Sequence, residues 1–477
     1  MRARAWVVAA ALFAAARASA AGLADAAAQA AQHAPELAAQ RLALKQAEIR
    51  ERLVEETLAS RLQGFARAGE DRPPTTSIFQ PTRTQSLSAG ASWHKPLASG
   101  AELDISAQIT RTQWRYDSPF AAQLATLNPA WRGELAATLR LPLAAGRGRP
   151  DLMDARAQAL EQQAQAEEAL ARAAREAALA AIQEAANYLR LQAEARAAGA
   201  AVARARRLVA DARRRWSLGL IEKDRVDEAL AQLHEAEARR ARAATSLNRL
   251  VESLRRRTGW RDREIQALRP EPVPIPDTLE ALTGYALAHR PEIVALRKRL
   301  EAAELRVQAA RKRAGVRADL VFDAGLRSLA GQGGRALVNM PSTHYPRASI
   351  GIELQEGLGR ADELRVAAAQ TAREAVRAAI DAFEETLRRE LAGLWAERAP
   401  TEARLRAARS ALRAARAMLA QRKRQYAAAR VPLAQLLAAE ARVAEAEKAV
   451  RQAEADRAEL SALIAWSAAL VPKLEER

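Results

Sequence analysis

Few side chains in this 477-residue chain are spaced for chemistry. Asp224 and Asp227 stand three apart, on one face if their segment is helical, where paired carboxylates concentrate negative charge. Acids at the start of a helix are also favoured by its dipole, and both readings stay open. The five histidines, His33, His94, His234, His289 and His344, are scattered, with no further ligands at metal-binding spacing. Cysteine is absent, which excludes disulfides, thiol nucleophiles, cysteine metal sites and a lipid anchor on an N-terminal cysteine. Gly331-Gln332-Gly333-Gly334 falls in an expected surface loop, not in a phosphate-binding pattern. No enzyme activity, metal site or cofactor is expected.

The elements that position these residues come in two similar series. His33-Ala34-Pro35-Glu36-Leu37 and His289-Arg290-Pro291-Glu292-Ile293 open matching stretches, with Arg41/Arg297, Ala47/Ala303, Glu48/Glu304 and Arg50/Arg306 at one constant offset. Such self-similarity predicts two copies of one structural unit. Later in each copy a long helical pattern is interrupted, first at Trp216-Ser217-Leu218-Gly219-Leu220-Ile221 and then at Tyr426-Ala427-Ala428-Ala429-Arg430-Val431. From Asp151 to Trp216 there is no proline and only Gly199 as glycine, so that segment reads as a rod of roughly 100 Å. Val226, Leu230, Leu233, Leu247, Val251 and Leu254 continue as a coiled-coil seam.

Between the helices the period changes. Leu23 to Ala68 reads as helix; Leu87, Ala89, Ala91 and Trp93 then alternate, as do Leu103, Ile105, Ala107 and Ile109, and Leu135, Ala137, Leu139 and Leu141. If both flanking helices lie on one side of a membrane, each copy contributes an even number of spanning strands. Spanning pairs are therefore expected at 101–115 with 131–141 and at 318–329 with 347–356, with Gln85–Trp93 a non-spanning extension. Four amphipathic strands cannot close a barrel alone, and lipid tolerates no unpaired backbone, so the strands must be pooled with those of other subunits.

The expected organisation is a cleaved signal peptide (1–20), a first repeat (21–260), a linker (261–277) and a second repeat (278–477). The first repeat holds a helix, a strand pair at about 101–141 and a helical hairpin at 151–258. The linker carries Pro270, Pro272, Pro274 and Pro276. The second repeat holds a helix, a strand pair at about 318–356 and a hairpin at 359–466. The leader rests on Arg2 and Arg4, the apolar run Ala5–Ala16 and the small-residue site Ala18-Ser19-Ala20. No later run is long and apolar enough for a transmembrane helix. Aromatic residues make up 4% and charged residues 28%, with formal net charge +18, yet the arginines are spread along helices beside Glu or Gln. That pattern reads as solvated helix faces, or as a surface for anionic lipid or a partner, and not as nucleic-acid binding.

With the duplicated His-x-Pro-Glu starts, the strand pairs ending in Leu141-Pro142-Leu143-Ala144-Ala145-Gly146, and the breaks Arg215–Ile221 and Arg424–Val431, the chain resembles the TolC family of outer-membrane efflux and secretion channels. The resemblance covers essentially the whole mature chain. It implies a mainly α fold with a β part: a homotrimeric twelve-stranded outer-membrane β-barrel, four strands per chain, continued by a long α-helical coiled-coil barrel in the periplasm of a Gram-negative bacterium. It implies an exit duct of a tripartite efflux or type I secretion system. Such a duct sits in outer-membrane lipid and passively conducts substrates delivered by a periplasmic adaptor and an inner-membrane pump. Carried over, the adaptor-contacting tips are Trp216, Gly219, Leu220 and Ile221, and Tyr426, Ala429, Arg430 and Val431; the bare alternative is a helix-breaking turn without a partner. Asp224 and Asp227 become candidates for a pore constriction, supplied by the first copy only because Gln435 and Ala438 hold the comparable positions in the second. A periplasmic coiled-coil adaptor or scaffold is the alternative reading; it would be shorter, unduplicated and without amphipathic strands.

Overall fold

The computed structural model describes residues 22–339, 345–356, 360–428 and 430–470. The expected leader at 1–20, His344, Gly359 and Ala429 lie outside them. The chain divides into two compact units. One gathers the residues up to Lys45, Gln165–Leu296 and those from Ala379 onward; the other gathers Gln46–Ala164 and Arg297–Ala378.

In chain order, α1 (Leu23–His33) and α2 (Leu37–Glu55) precede β1 (Arg61–Asp71), β2 (Arg83–Pro96) and β3 (Glu102–Arg115). A short α3 (Pro119–Leu124), β4 (Ala130–Pro142) and two long helices, α4 (Pro150–Ser217) and α5 (Lys223–Thr258), follow. Next come α6 (Asp262–Gln266), α7 (Leu279–His289), α8 (Pro291–Arg313), β5 (Arg317–Ala330), α9 (Gly333–Val338) and β6 (Pro346–Gln355). The described chain closes with α10 (Ala361–Ala396), α11 (Arg398–Ala427) and α12 (Leu433–Ser467). Helix α4 runs unbroken for 68 residues. Pro400 falls in the first turn of α11, where a missing N–H costs nothing, and the break before it is at Glu397.

The strands of the described residues form one antiparallel sheet in the order β1-β2-β3-β4-β5-β6. Six strands stand where four were expected. The segment 85–93, expected as a non-spanning extension, belongs to β2, which pairs along its length with β1 on one side and β3 on the other. The helix expected to reach Ala68 ends at Glu55, and Arg61–Asp71 is β1. Alanine-rich Ala66-Arg67-Ala68 has high helix propensity, but β1 pairs with β2 along its whole length on one edge and that tertiary pairing overrides it. The parity argument survives: four strands lie before α4 and two after it.

Residues opposite one another in register share a face of the sheet. One such row is Leu62, Trp93, Ile105, Ala137, Ala324 and Ala348; its neighbours add Ala91, Ala107, Leu135 and Leu326 on one side and Leu103, Leu139, Phe322 and Ile350 on the other. Those rows are apolar but for Lys95 opposite Leu103, while Glu70, Gln85, Arg111 and Gln113 stand on the same face beyond them. The opposite face is polar: His94, Asp104, Thr138, Asp323 and Ser349 form one row, and Gly90, Gln108, Glu134 and Arg327 another. Phe65, Trp114, Ala136, Val321 and Leu329 are among its apolar exceptions. Gly90 cannot be larger: a Cβ there would sit 2.7 Å from the Ala107 carbonyl and 3.0 Å from the Phe65 ring.

The helical unit is built on small residues. Ala26 and Ala27 of α1, Ala178, Ile182 and Ala185 of α4, Leu254 of α5 and Ala455, Ala458 and Ala462 of α12 share one buried cluster. Alanine lets helix axes approach closely, so dispersion contacts accumulate without large side chains. A second cluster joins Leu282, Ala286 and Ile293 to Leu387, Leu391 and Ile464. At its edge Arg290 is buried, its side chain 3% exposed, with Nε 3.3 Å from Glu292 and NH1 3.8 Å from Glu390. Its guanidinium lies 5.4 Å from the Phe383 ring centroid. Burial pushes the Arg290 pKa down, against the pull of the Glu292 charge. Glu390 also accepts hydrogen bonds from Arg175 and Ser467, so α4, the α7–α8 junction, α10 and α12 meet at this charge.

Glu292→Gln leaves the buried guanidinium short of a countercharge and is expected to cost about 3 kcal/mol. Arg290→Met with Glu292→Gln is expected to recover most of that loss, and the midpoints of denaturant unfolding would compare the two.

Candidate functional site: helical tips and the polar sheet face

The first tip is a helix stop written by glycine. The Gly219 N–H donates to the Trp216 carbonyl (2.9 Å) and the Leu220 N–H to the Arg215 carbonyl (2.8 Å). This is the paired closure of a Schellman motif, with Gly219 in the left-handed region at φ 70°. The second tip shares the six-residue hydrogen bond: the Arg430 N–H donates to the Gln425 carbonyl at 2.9 Å. Pro432 then starts the returning helix without needing a donor.

The expected tip residues divide by exposure. Trp216 (49% exposed), Leu220 (69%) and Tyr426 (41%) project into solvent, and Arg430 is exposed too. Ile221 instead packs against Val209, Ala212, Val226 and Ala229, closing the hairpin core; Val431 is half-buried. Leu218, passed over in the sequence, is 66% exposed, so this turn presents Trp216, Leu218 and Leu220 as an apolar knob. Three large apolar residues around a glycine were the signal available for it. At the second tip Arg422 NH1 bonds Gln425 and Gln435, each at 3.1 Å, so a polar clamp spans that turn.

Asp224 lies in the first turn of α5 and Asp227 just beyond it, both exposed. The Asp224 carboxylate accepts from the Arg225 N–H at 2.8 Å, as acids do at helix starts. With the two closures superposed, Leu220 on Arg430, the acids fall opposite Ala434 and Leu437, not Gln435 and Ala438. They still belong to one tip only. Among the described residues no cluster of three or more His, Asp or Glu side chains could hold a metal ion, and no helix is long and apolar enough to cross a membrane.

The polar sheet face carries cross-strand contacts that the sequence reading did not single out. His94 Nδ1 lies 2.6 Å from Asp104; Gln108 and Arg327 donate to Glu134 at 2.9 and 3.1 Å. The Thr138 hydroxyl donates to Asp323 at 2.7 Å, and Arg140 lies 3.1 Å from Glu353. These residues occupy the alternate positions between Leu103, Ile105, Ala107 and Ile109 and their counterparts, so period two held the information.

A six-stranded sheet apolar on one face and polar on the other, with long helical hairpins closed by paired tips, can be compared directly with solved structures. The outer membrane protein VceC of Vibrio cholerae matches with a TM-score of 0.59 at 19% identity, over 94% of this chain and 95% of that one. The CmeC outer membrane channel of Campylobacter jejuni gives 0.60 at 12% identity, covering 95% and 87%. The open state of the MtrE outer membrane channel of Neisseria gonorrhoeae gives 0.55 at 17%, covering 94% and 88%. The fold is that of the TolC-like outer-membrane channels. No protein-family model matches the sequence, and no curated protein matches it.

On this channel fold Gly219 takes a conformation that costs other residues about 1–2 kcal/mol. Gly219→Val is expected to loosen the first tip by that amount, read as faster amide exchange at Leu218–Leu220 with exchange in β2–β5 unchanged.

Proposed function

We propose that this chain is one subunit of a homotrimeric outer-membrane exit duct of a tripartite efflux or type I secretion system. The observation that carries the reading is the two-faced sheet. Leu135, Phe322, Ile350 and Ile352 are exposed on its apolar face, an arrangement that water penalises and hydrocarbon rewards. Its polar face, with His94, Asp104, Gln108, Glu134 and Asp323, suits a water-filled lumen. A periplasmic adaptor or scaffold has no use for such a sheet. The helical hairpins work in the periplasm, where a periplasmic adaptor and an inner-membrane pump deliver the cargo and the duct passes it outward without chemistry of its own. Trp216, Leu218 and Leu220 at one tip and Tyr426 and Arg430 at the other supply the adaptor contact, an apolar knob beside a cationic one. Gly219, Ile221 and Val431 shape those turns. Asp224 and Asp227, brought together in three copies, form a cation-attracting constriction.

The protein is expected in the outer-membrane fraction as heat-resistant trimers in detergent; recovery as a soluble periplasmic monomer would reject the duct. In planar bilayers Asp224→Ala with Asp227→Ala is expected to raise single-channel conductance and weaken block by divalent cations. Conductance equal to the parent's would remove these acids from the constriction.

A further inference from the structure

The sheet ends in two strands whose outer edges have no partner among the described residues: β1 pairs only with β2, and β6 only with β5. Every residue of both strands is exposed. Unpaired N–H and C=O groups are tolerable in water but not in hydrocarbon. Both edge strands continue the two-faced pattern, with Leu62, Ala66 and Ala68 of β1 and Ala348, Ile350 and Ile352 of β6 on the apolar face.

The register inside the chain carries information on how these edges could meet. The row that enters β1 at Leu62, beside the strand's first residue, leaves β6 at Ala348, close to that strand's first residue Pro346. Because β1 and β6 run in opposite directions, the rows climb steadily across the sheet. Continuing the climb onto the next copy brings Ala348 opposite Ala68. That register sets Gln355 opposite Arg61 and Pro346 opposite Glu70, so β6 is covered along its whole length. It keeps like faces together, since a slip of one residue would exchange them. A climb of about six residues over six strands, at ~3.3 Å per residue and ~4.8 Å between strands, corresponds to a tilt of roughly 35°, within the range of closed barrels. It also sets Gly351 opposite Phe65, whose other neighbour is Gly90. The ring then lies between two glycines, which accounts for an aromatic residue on the polar face.

We propose that β6 of one copy pairs antiparallel with β1 of the next along its full length, Ser349 opposite Arg67, so that three copies enclose an eighteen-stranded barrel in place of the expected twelve. This rests on the trimeric duct proposed above. Eighteen strands at that tilt give a backbone diameter of roughly 33 Å, against roughly 22 Å for twelve, wide enough for a water-filled channel.

The chain has no cysteine, so introduced pairs report cleanly. Arg67→Cys with Ser349→Cys, both on the water-lined face, is expected to convert most of the protein to covalent trimers on mild oxidation, on non-reducing gels. Gln63→Cys with Ser349→Cys, off register, is expected to give few. Ser349→Cys is then paired in turn with Ser106→Cys, Gln108→Cys and Thr110→Cys of β3, the edge that a twelve-stranded barrel would use. Trimers by native mass spectrometry that link through β3, or through none of these pairs, overturn the eighteen-stranded register alone. Monomers in detergent overturn both it and the duct.

Discussion

A peptide group in hydrocarbon has no water to bond, so a strand edge there must find another strand. The rest of the structure depends on that constraint. The chain makes a six-stranded meander whose apolar face is continuous from Leu62 to Ile352, yet it leaves both edges open. In the proposed trimer, completion comes from copies of the same chain, and the stagger of the strands within one copy guides how they meet. The polar face holds that register: Gln108, Glu134 and Arg327 tie β3, β4 and β5, and Thr138, Asp323 and Ser349 tie β4, β5 and β6. A slip of one residue would break these contacts and exchange the two faces at once.

The helical unit answers a different demand with a different chemistry. Its helices are long and its core is largely alanine, so burial per residue is modest and alignment must come from elsewhere. Arginine supplies part of it. Arg190 reaches Asp456 (2.7 Å) and Glu459, Arg207 reaches Glu440, Arg416 reaches Glu447 (2.8 Å) and Arg457 reaches Glu402 (2.8 Å). Each exposed pair is worth little alone, but a guanidinium fork fixes orientation between helices that alanine alone would let slide. Part of the basic composition is thus engaged in clamping helix to helix. Arg290 is the extreme case, a buried guanidinium where Ala34 stands in the equivalent helix start.

The two tips share a backbone solution and differ in surface. Both close with a six-residue hydrogen bond, from Leu220 to Arg215 and from Arg430 to Gln425. What they offer beyond that closure is apolar in one case and cationic in the other. In the proposed ring of copies, two unlike tips on one chain would present alternating chemistry around the circumference.

The sequence by itself determined the elements whose signals are local. Proline-free helical periods, the breaks at Gly219 and Val431, and the alternation in 103–109 and 135–141 each report how neighbouring residues share a face, and that needs no distant partner. Period two also separated an apolar from a polar sheet face before any strand was paired. Only tertiary structure decided that Arg61–Asp71 is a strand, because its glycines and alanines carry no strong period and the ladder to β2 outweighs their propensity. The same holds for 85–93: alternation showed an extended segment, but its place between two partners depends on pairing across the chain. Ile221 was legible as a turn residue, yet its turning into the hairpin core depends on Val209 and Val226 meeting across the tip. Hydrogen-bond ladders and packing act between residues far apart in sequence, and strand number, edge and register belong to that kind of interaction.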